Sequence, residues 1–346
     1  MTKLKQNKLI YLILALLLML GACDSTALLE PPQPQPKPEP SVPDLANLEV
    51  SVPNAGELIF SSVKGTSSDA KHITLRNIGN APLDLEALVL AGPDANAFTL
   101  SESGLPAKIE PGGTLEAAIT FVPGSAGSKS AQVEIVSGDV QAPSIGLYGL
   151  GSKGEQGEKE PPLQQIVDTL GYRVDVGSRD LSLGDADEAI GDELLAPLFE
   201  KAGTGPVTLE VVARYGPEED MPYGFFILDA ARPVTEEVGL IGASETQKLL
   251  PQRASGEASF DPGEVPFGIY GQASGETQYS LDGLNSGAIA HALRVYPLKD
   301  RDGNTVPNSF LIGLEEAQNG DYQDALFALS NVKIAQTTLL GVQSLR

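Results

Sequence analysis

The sequence predicts an all-β protein built as two β-sandwich domains. Three observations carry that expectation. The 37 glycines and 26 prolines of the 346 residues are dispersed among short apolar runs, which marks many turns. Within those runs apolar and polar residues alternate, the period of a half-buried strand. A charged, glycine-rich stretch, 151–160, separates two blocks each long enough to enclose a core. Cys23 is the only cysteine, so no disulfide can form within the chain. Stability therefore rests on apolar packing, with Phe and Tyr supplying the aromatic bulk because Trp is absent.

Residues 1–22 read as a secretory signal. Lys3, Lys5 and Lys8 form a positive beginning, Leu9 to Leu20 an apolar middle, and Gly21-Ala22 a small-residue end before Cys23. The apolar run falls well short of the roughly 20 residues needed to span a bilayer. Leu20-Gly21-Ala22-Cys23 resembles the lipobox of bacterial lipoproteins. That resemblance implies cleavage before Cys23, a diacylglycerol on its sulfur and usually an acylated amino group. The expected location is the cell envelope, with the membrane as partner through the lipid and the chain facing the periplasm or the exterior. A plain signal peptide, or an uncleaved membrane helix with a cysteine nearby by chance, is the alternative.

Residues 23–45 form a linker whose centre, Pro31 to Pro40, alternates proline with polar residues. Such a tract favours extended polyproline II, and at about 3.1 Å per residue it holds the next domain roughly 30–40 Å from the anchor.

The first block, 46–150, reads as an Ig-like sandwich. Ile73 and Leu75 share one face of a strand, Asn77-Ile78-Gly79-Asn80 turns, and Leu83 and Leu85 begin the next strand. Asn77 and Gly79 suit a turn with permissive backbone angles, as does Pro111-Gly112. Leu115, Ala117, Ile119 and Phe121 then alternate, as do Val133 with Ile135 and Ile145 with Leu147. The order Leu75 to Leu83, Gly92-Pro93-Asp94-Ala95-Asn96-Ala97-Phe98, Ile109 to Gly113, Phe121-Val122-Pro123 and Gly146-Leu147-Tyr148-Gly149 resembles the choice-of-anchor D family of Hydin-type modules. The resemblance implies an immunoglobulin-like fold serving as spacer or interaction domain.

The second block, 161–346, opens with Leu163, Ile166, Val167 and Leu170 at helical spacing. Strands follow at 207–215, 224–228, 267–270, 292–296, 310–316 and 324–329, which suggests a jelly-roll-like sandwich. Leu314-Glu315-Glu316, Asn319-Gly320-Asp321-Tyr322-Gln323-Asp324 and Leu326-Phe327 resemble the hallmark of an uncharacterised family of secreted and surface bacterial proteins. Glu316 stands where that family often has Asp. The resemblance implies location and fold, and little about activity.

The net charge is −23, and −26 once residues 1–22 are removed. So acidic a chain repels nucleic acid and anionic headgroups. Glu315, Glu316, Asp321 and Asp324 are the candidate cation ligands: calcium takes several hard oxygens, and carboxylates from two strands and their turn can converge on one ion. Solvated turn residues are the plainer reading. Asp300-Arg301-Asp302-Gly303-Asn304 starts like an EF-hand loop, but Gly303 is one place early and Leu311 stands where the bidentate acid belongs, so a hairpin turn is expected. The acids between Asp180 and Glu193 read as an exposed loop. His72 and His291 fall in different domains and no nucleophile elbow is present, so no catalytic residue is assigned. Tyr215, Tyr223, Phe225, Phe226, Phe267 and Tyr270 suit either a sugar-binding face or, at strand spacing, a core. The expected role is a non-catalytic structural or binding one, with an envelope protein or a glycan as ligand. A calcium-dependent or carbohydrate-binding module comes second, and a glycosidase-type enzyme third, since paired carboxylates abound.

Overall fold

The structure, a computed structural model, describes residues 44–336 apart from 54–55, 185–187 and 287. The expected signal segment 1–22, Cys23 and the linker as far as residue 43 lie outside the described residues. The fold is all-β, with two sandwiches that follow one another along the chain.

The first sandwich has nine strands: β1 (Leu48–Ser51), β2 (Glu57–Val63), β3 (Lys71–Asn77), β4 (Leu83–Ala91), β5 (Phe98–Glu102), β6 (Ala107–Ile109), β7 (Thr114–Phe121), β8 (Gly127–Ser137) and β9 (Ile145–Ser152). One sheet runs β1-β3-β7-β5 and the other β2-β9-β8-β4-β6, antiparallel except where β2 pairs with β9. Alternation decides which side chains meet. Ile73, Leu75, Ala117, Ile119 and Phe121 point inward from one sheet and meet Leu58, Phe60, Val133, Ile145 and Leu147 from the other. Phe60, Phe98 and Phe121 form an aromatic centre with ring centroids 5.1–6.2 Å apart.

The Asn77–Asn80 turn forms, but for a different reason from the expected one. Neither Asn77 nor Gly79 takes a positive φ. Asn77 is buried, its amide donates to Ala81 O and Ile109 O at 2.8 Å each, and its side-chain oxygen accepts from Gly79 N. Gly79 is required by close approach, since a Cβ there would lie 2.2 Å from Leu45 O. Gly112, by contrast, does use a left-handed backbone, at φ +78°.

The second sandwich opens with helix α1 (Leu163–Leu170) and continues with β10 (Phe199–Lys201), β11 (Val207–Arg214), β12 (Met221–Asp229), β13 (Arg232–Ile241), β14 (Lys248–Leu249), β15 (Arg253–Gly256), β16 (Ser259–Phe260), β17 (Gly268–Ala273), β18 (Glu276–Tyr279), β19 (Leu293–Lys299), β20 (Thr305–Leu314), β21 (Ala325–Ser330) and β22 (Val332–Ile334). One sheet runs β14-β11-β21-β20-β19, with β16 also on β11, and the facing sheet runs β15-β13-β12-β17-β18. β10 pairs with β22 beside them. The predicted helix residues Leu163, Ile166, Val167 and Leu170 are all buried, and Gly171 ends the helix in the left-handed region.

That helix lies on the outer face of the β11 sheet. Its apolar side joins Val212, Tyr215, Leu311 and Leu326 with Ile59 and Leu150 of the first sandwich in one cluster. The second half of β11, Val211 to Arg214, is therefore buried on both faces, whereas its first half alternates and leaves Glu210 exposed. The sandwiches are pinned further by Arg301, from the β19–β20 turn. It donates Nε and Nη2 to the two oxygens of Glu57 at 2.9 and 2.6 Å, and its guanidinium lies 3.5 Å from the centre of the Tyr148 ring. The described residues 44–336 accordingly belong to one compact unit.

Candidate functional site at the β20–β21 turn

β20 ends at Leu314 and β21 begins at Ala325, so the segment between them carries all four candidate cation ligands. The turn is organised around Glu315, which is fully buried. Its Oε1 accepts from Ala317 N (2.9 Å) and Asn319 N (3.2 Å), and its Oε2 from Tyr322 N (3.1 Å). Asp324, also buried, accepts from Glu316 N at 2.7 Å. Asp321 accepts from the Asn319 amide at 2.8 Å. These carboxylates satisfy backbone donors that an irregular segment would otherwise leave unpaired away from water. Gln318, Gly320 and Tyr322 adopt left-handed backbone to fold the segment inward, and a Cβ on Gly320 would meet Leu181 O at 2.4 Å.

One oxygen from each of Glu315, Asp321 and Asp324 lies within 4.8 Å of the others. Glu316 does not join them. Its carboxylate is packed over Gly216, where a Cβ would stand 2.3 Å from Oε1, and both its oxygens are buried without a hydrogen bond. The fully buried Arg214 supplies the nearby positive charge, while its Nη2 donates to Pro217 O and Glu219 O at 3.1 Å.

Glu160 enters the same region from the 151–160 stretch. That stretch is ordered and closes on itself, Lys153 N donating to Lys159 O at 3.0 Å. Glu160 is buried and accepts from the side-chain amides of Gln247 and, at 3.2 Å, Gln323.

Burial of so many acids together raises their proton affinity. Asp324 is pushed well above the usual carboxylate range, first by burial and then by the charges of Glu316 and Glu315. Burial raises Asp321 to about 6, helped by Glu315. Glu316 rises to about 7 through burial, which outweighs Arg214. Glu160 also rises to about 7 through burial, against the hydrogen bond from Gln247. A divalent cation would relieve this crowding, and the Glu315, Asp321 and Asp324 oxygens would provide part of the six to eight ligands calcium takes.

The remaining sequence candidates fall elsewhere. Asp300–Asn304 forms the β19–β20 hairpin turn, in which Asp300 accepts from Asp302 N, Asn304 N and the Asn304 amide at 2.8–3.2 Å. Tyr215, Tyr223, Phe225, Phe226, Phe267 and Tyr270 are all buried and pack in the cores, so they line no exposed sugar face. Asp185 and Asp187 lie outside the described residues.

The acidic stretch before β10 is not simply an exposed loop. Glu193 is buried, accepting from Ile190 N at 3.1 Å and from Arg294 Nη1, and it lies 2.8 Å from His291 Nε2. His291 Nδ1 is 2.9 Å from both oxygens of Asp282. Arg294 donates Nη2 to Ser182 O at 2.9 Å and stacks 4.7 Å from the Tyr322 ring centre. The Tyr322 hydroxyl has one proton to share between Ser182 O and His291 O, linking this network to the β20–β21 turn. Little in the local sequence marks this network, because Glu193 and His291 are 98 positions apart and share no motif. The one local signal is an arginine, Arg294, within a largely apolar strand.

No known family model matches the chain, and no curated protein matches it. Solved structures resemble parts of it. A protein of unknown function from Porphyromonas gingivalis is 25% identical over 31% of this chain and 47% of its own, with a TM-score of 0.25. The chain thus spans about half the length of that protein. The ASH/PapD-like domain of human CEP192 is 18% identical over 34% of this chain and 94% of its own, TM-score 0.25. The secreted serine protease VesC from Vibrio cholerae is 12% identical over 83% of this chain and 50% of its own, also at 0.25.

Proposed function

We propose that the chain is a lipid-anchored cell-envelope protein with a structural or binding role, displaying its sandwiches beyond the membrane and catalysing no reaction. In this reading Cys23 carries the lipid, residues 23–45 form the stalk, and the first sandwich is a choice-of-anchor D module acting as spacer. The second sandwich meets an envelope protein or a glycan. One observation carries the non-catalytic part: the most concentrated carboxylates, Glu315 and Asp324, are buried and occupied by backbone amides of their own turn. A general acid or base needs an oxygen within reach of substrate. A screen of the full chain against glycoside substrates tests this. No turnover is expected, and turnover abolished by Glu316→Gln or Glu160→Gln would overturn the reading.

Calcium dependence is the second reading, favoured by the 4.8 Å grouping of Glu315, Asp321 and Asp324 oxygens. Calorimetric titration of the full chain with calcium tests it. Binding to the folded state alone would add about 2.7 kcal/mol of stability at a hundredfold excess over Kd. Absence of both heat and thermal stabilisation would remove the metal from the account.

A further inference from the structure

Both ring nitrogens of His291 face carboxylates within hydrogen-bonding distance, Nε2 to Glu193 at 2.8 Å and Nδ1 to Asp282 at 2.9 Å. A neutral imidazole carries one N–H, so only the imidazolium donates in both directions. The two ends are not equivalent. The Glu193 side chain is fully buried, whereas that of Asp282 is 26% exposed. Glu193 also belongs to Arg294 and Ile190 N, while Asp282 stands in the short helical turn Asp282–Leu284 that follows β18. The other charged or titratable groups around the ring are Arg294 from β19 and Tyr322 from the β20–β21 turn, whose rings are 6.5 Å apart for His291 and Tyr322.

We propose that His291 is a proton-operated fastener, an imidazolium that ties the Asp282–Leu284 turn to the buried Glu193–Arg294 pair and lets the turn go on the alkaline side. When the proton leaves, the bond to buried Glu193 is kept, because no water can replace it there. The bond to Asp282 is given up, because water can replace it. A bare Nδ1 lone pair then faces the Asp282 carboxylate and repels it. Burial opposes the charge on His291, but the hydrogen bonds to Asp282 and Glu193 outweigh it and hold the group above its ordinary value. Stabilisation from a raised histidine is fully present below the unfolded value near 6.5 and disappears as pH climbs through the folded one. Protection of the turn should fall about tenfold for each unit of that elevation.

The chain has two histidines, so a proton NMR titration of the full chain, assigned with His72→Gln, reads His291 directly. The expected result is a midpoint above 6.5, with the amide signals of Asp282, Leu284 and Asn285 moving at that same midpoint and those of Ile190 and Glu193 unmoved. A midpoint below 6.5, or turn amides indifferent to it, would overturn the proposal. Hydrogen exchange of His291→Gln supplies a second reading: once the intrinsic base-catalysed rise in exchange is divided out, protection of its turn should not vary between pH 6 and 9. If protection there keeps the wild-type fall with pH, another group is responsible and the proposal is overturned.

Discussion

Glu315 gathers three backbone amides onto one carboxylate, and that single side chain sets the shape of the β20–β21 turn. Removing it leaves buried donors without a partner, each costing about 1–3 kcal/mol. Glu315→Ala should therefore lower stability by about 3 kcal/mol or more in urea unfolding. Asp321→Asn, whose oxygens serve mainly the Asn319 side chain and Asp321's own turn, should change it by less than about 1 kcal/mol. Equal losses for the two would show that Glu315 does not organise the turn. The sequence displayed these acids together, but which of them look inward was not legible. Inward direction depends on the left-handed residues 318, 320 and 322, and of these only Gly320 announces such a backbone. Glu316 illustrates the point: adjacent to Glu315, it turns the other way, over Gly216.

Strands and the helix were the most legible elements, because their periods are local. Alternation in Ile73–Leu75 and Leu115–Phe121, and the 3, 4, 7 spacing of Leu163–Leu170, correspond to side chains that are in fact enclosed. What joins elements was hidden. Glu57 and Arg301 are 244 positions apart, and nothing near either residue marks the pair. The hairpin turn around Arg301 was expected, yet its use as a clamp on β2 and β9 was not. Arg301→Ala removes a two-bonded ion pair and its stacking on Tyr148, an effect of about 2 kcal/mol. The predicted consequence in calorimetry is a lower melting temperature with the two sandwiches unfolding less cooperatively. An unchanged single transition would mean that α1 and its apolar cluster couple them alone. Gly79→Ala tests a different joint: the 2.2 Å approach to Leu45 O should force β1 away from β3 and destabilise the first sandwich.

At the scale of the whole molecule, acidity and burial act together. Asp321, Glu316 and Glu160 take up protons more readily in the folded protein than at the usual unfolded values near 4. Between about pH 4 and 7 the folded state then binds more protons than the unfolded one, so stability falls as pH rises. His291 acts in the same direction at higher pH. Thermal melts at low salt should therefore be higher at pH 5 than at pH 8. If calcium occupies the Glu315, Asp321 and Asp324 oxygens, adding it at pH 8 should close part of that gap. A melting temperature that rises from pH 5 to 8 would mean that these acids do not hold their protons more tightly in the folded protein.

The proposed anchored and displayed state depends on one residue, Cys23. Intact mass spectrometry of the chain extracted from membranes reads that state directly. The expected mass shows loss of residues 1–22 and a diacylglyceryl modification on Cys23, with two or more acyl chains giving the stable attachment that one chain cannot. Cys23→Ala should lack the modification. A membrane-bound protein that keeps residues 1–22 and an unmodified Cys23 would contradict it.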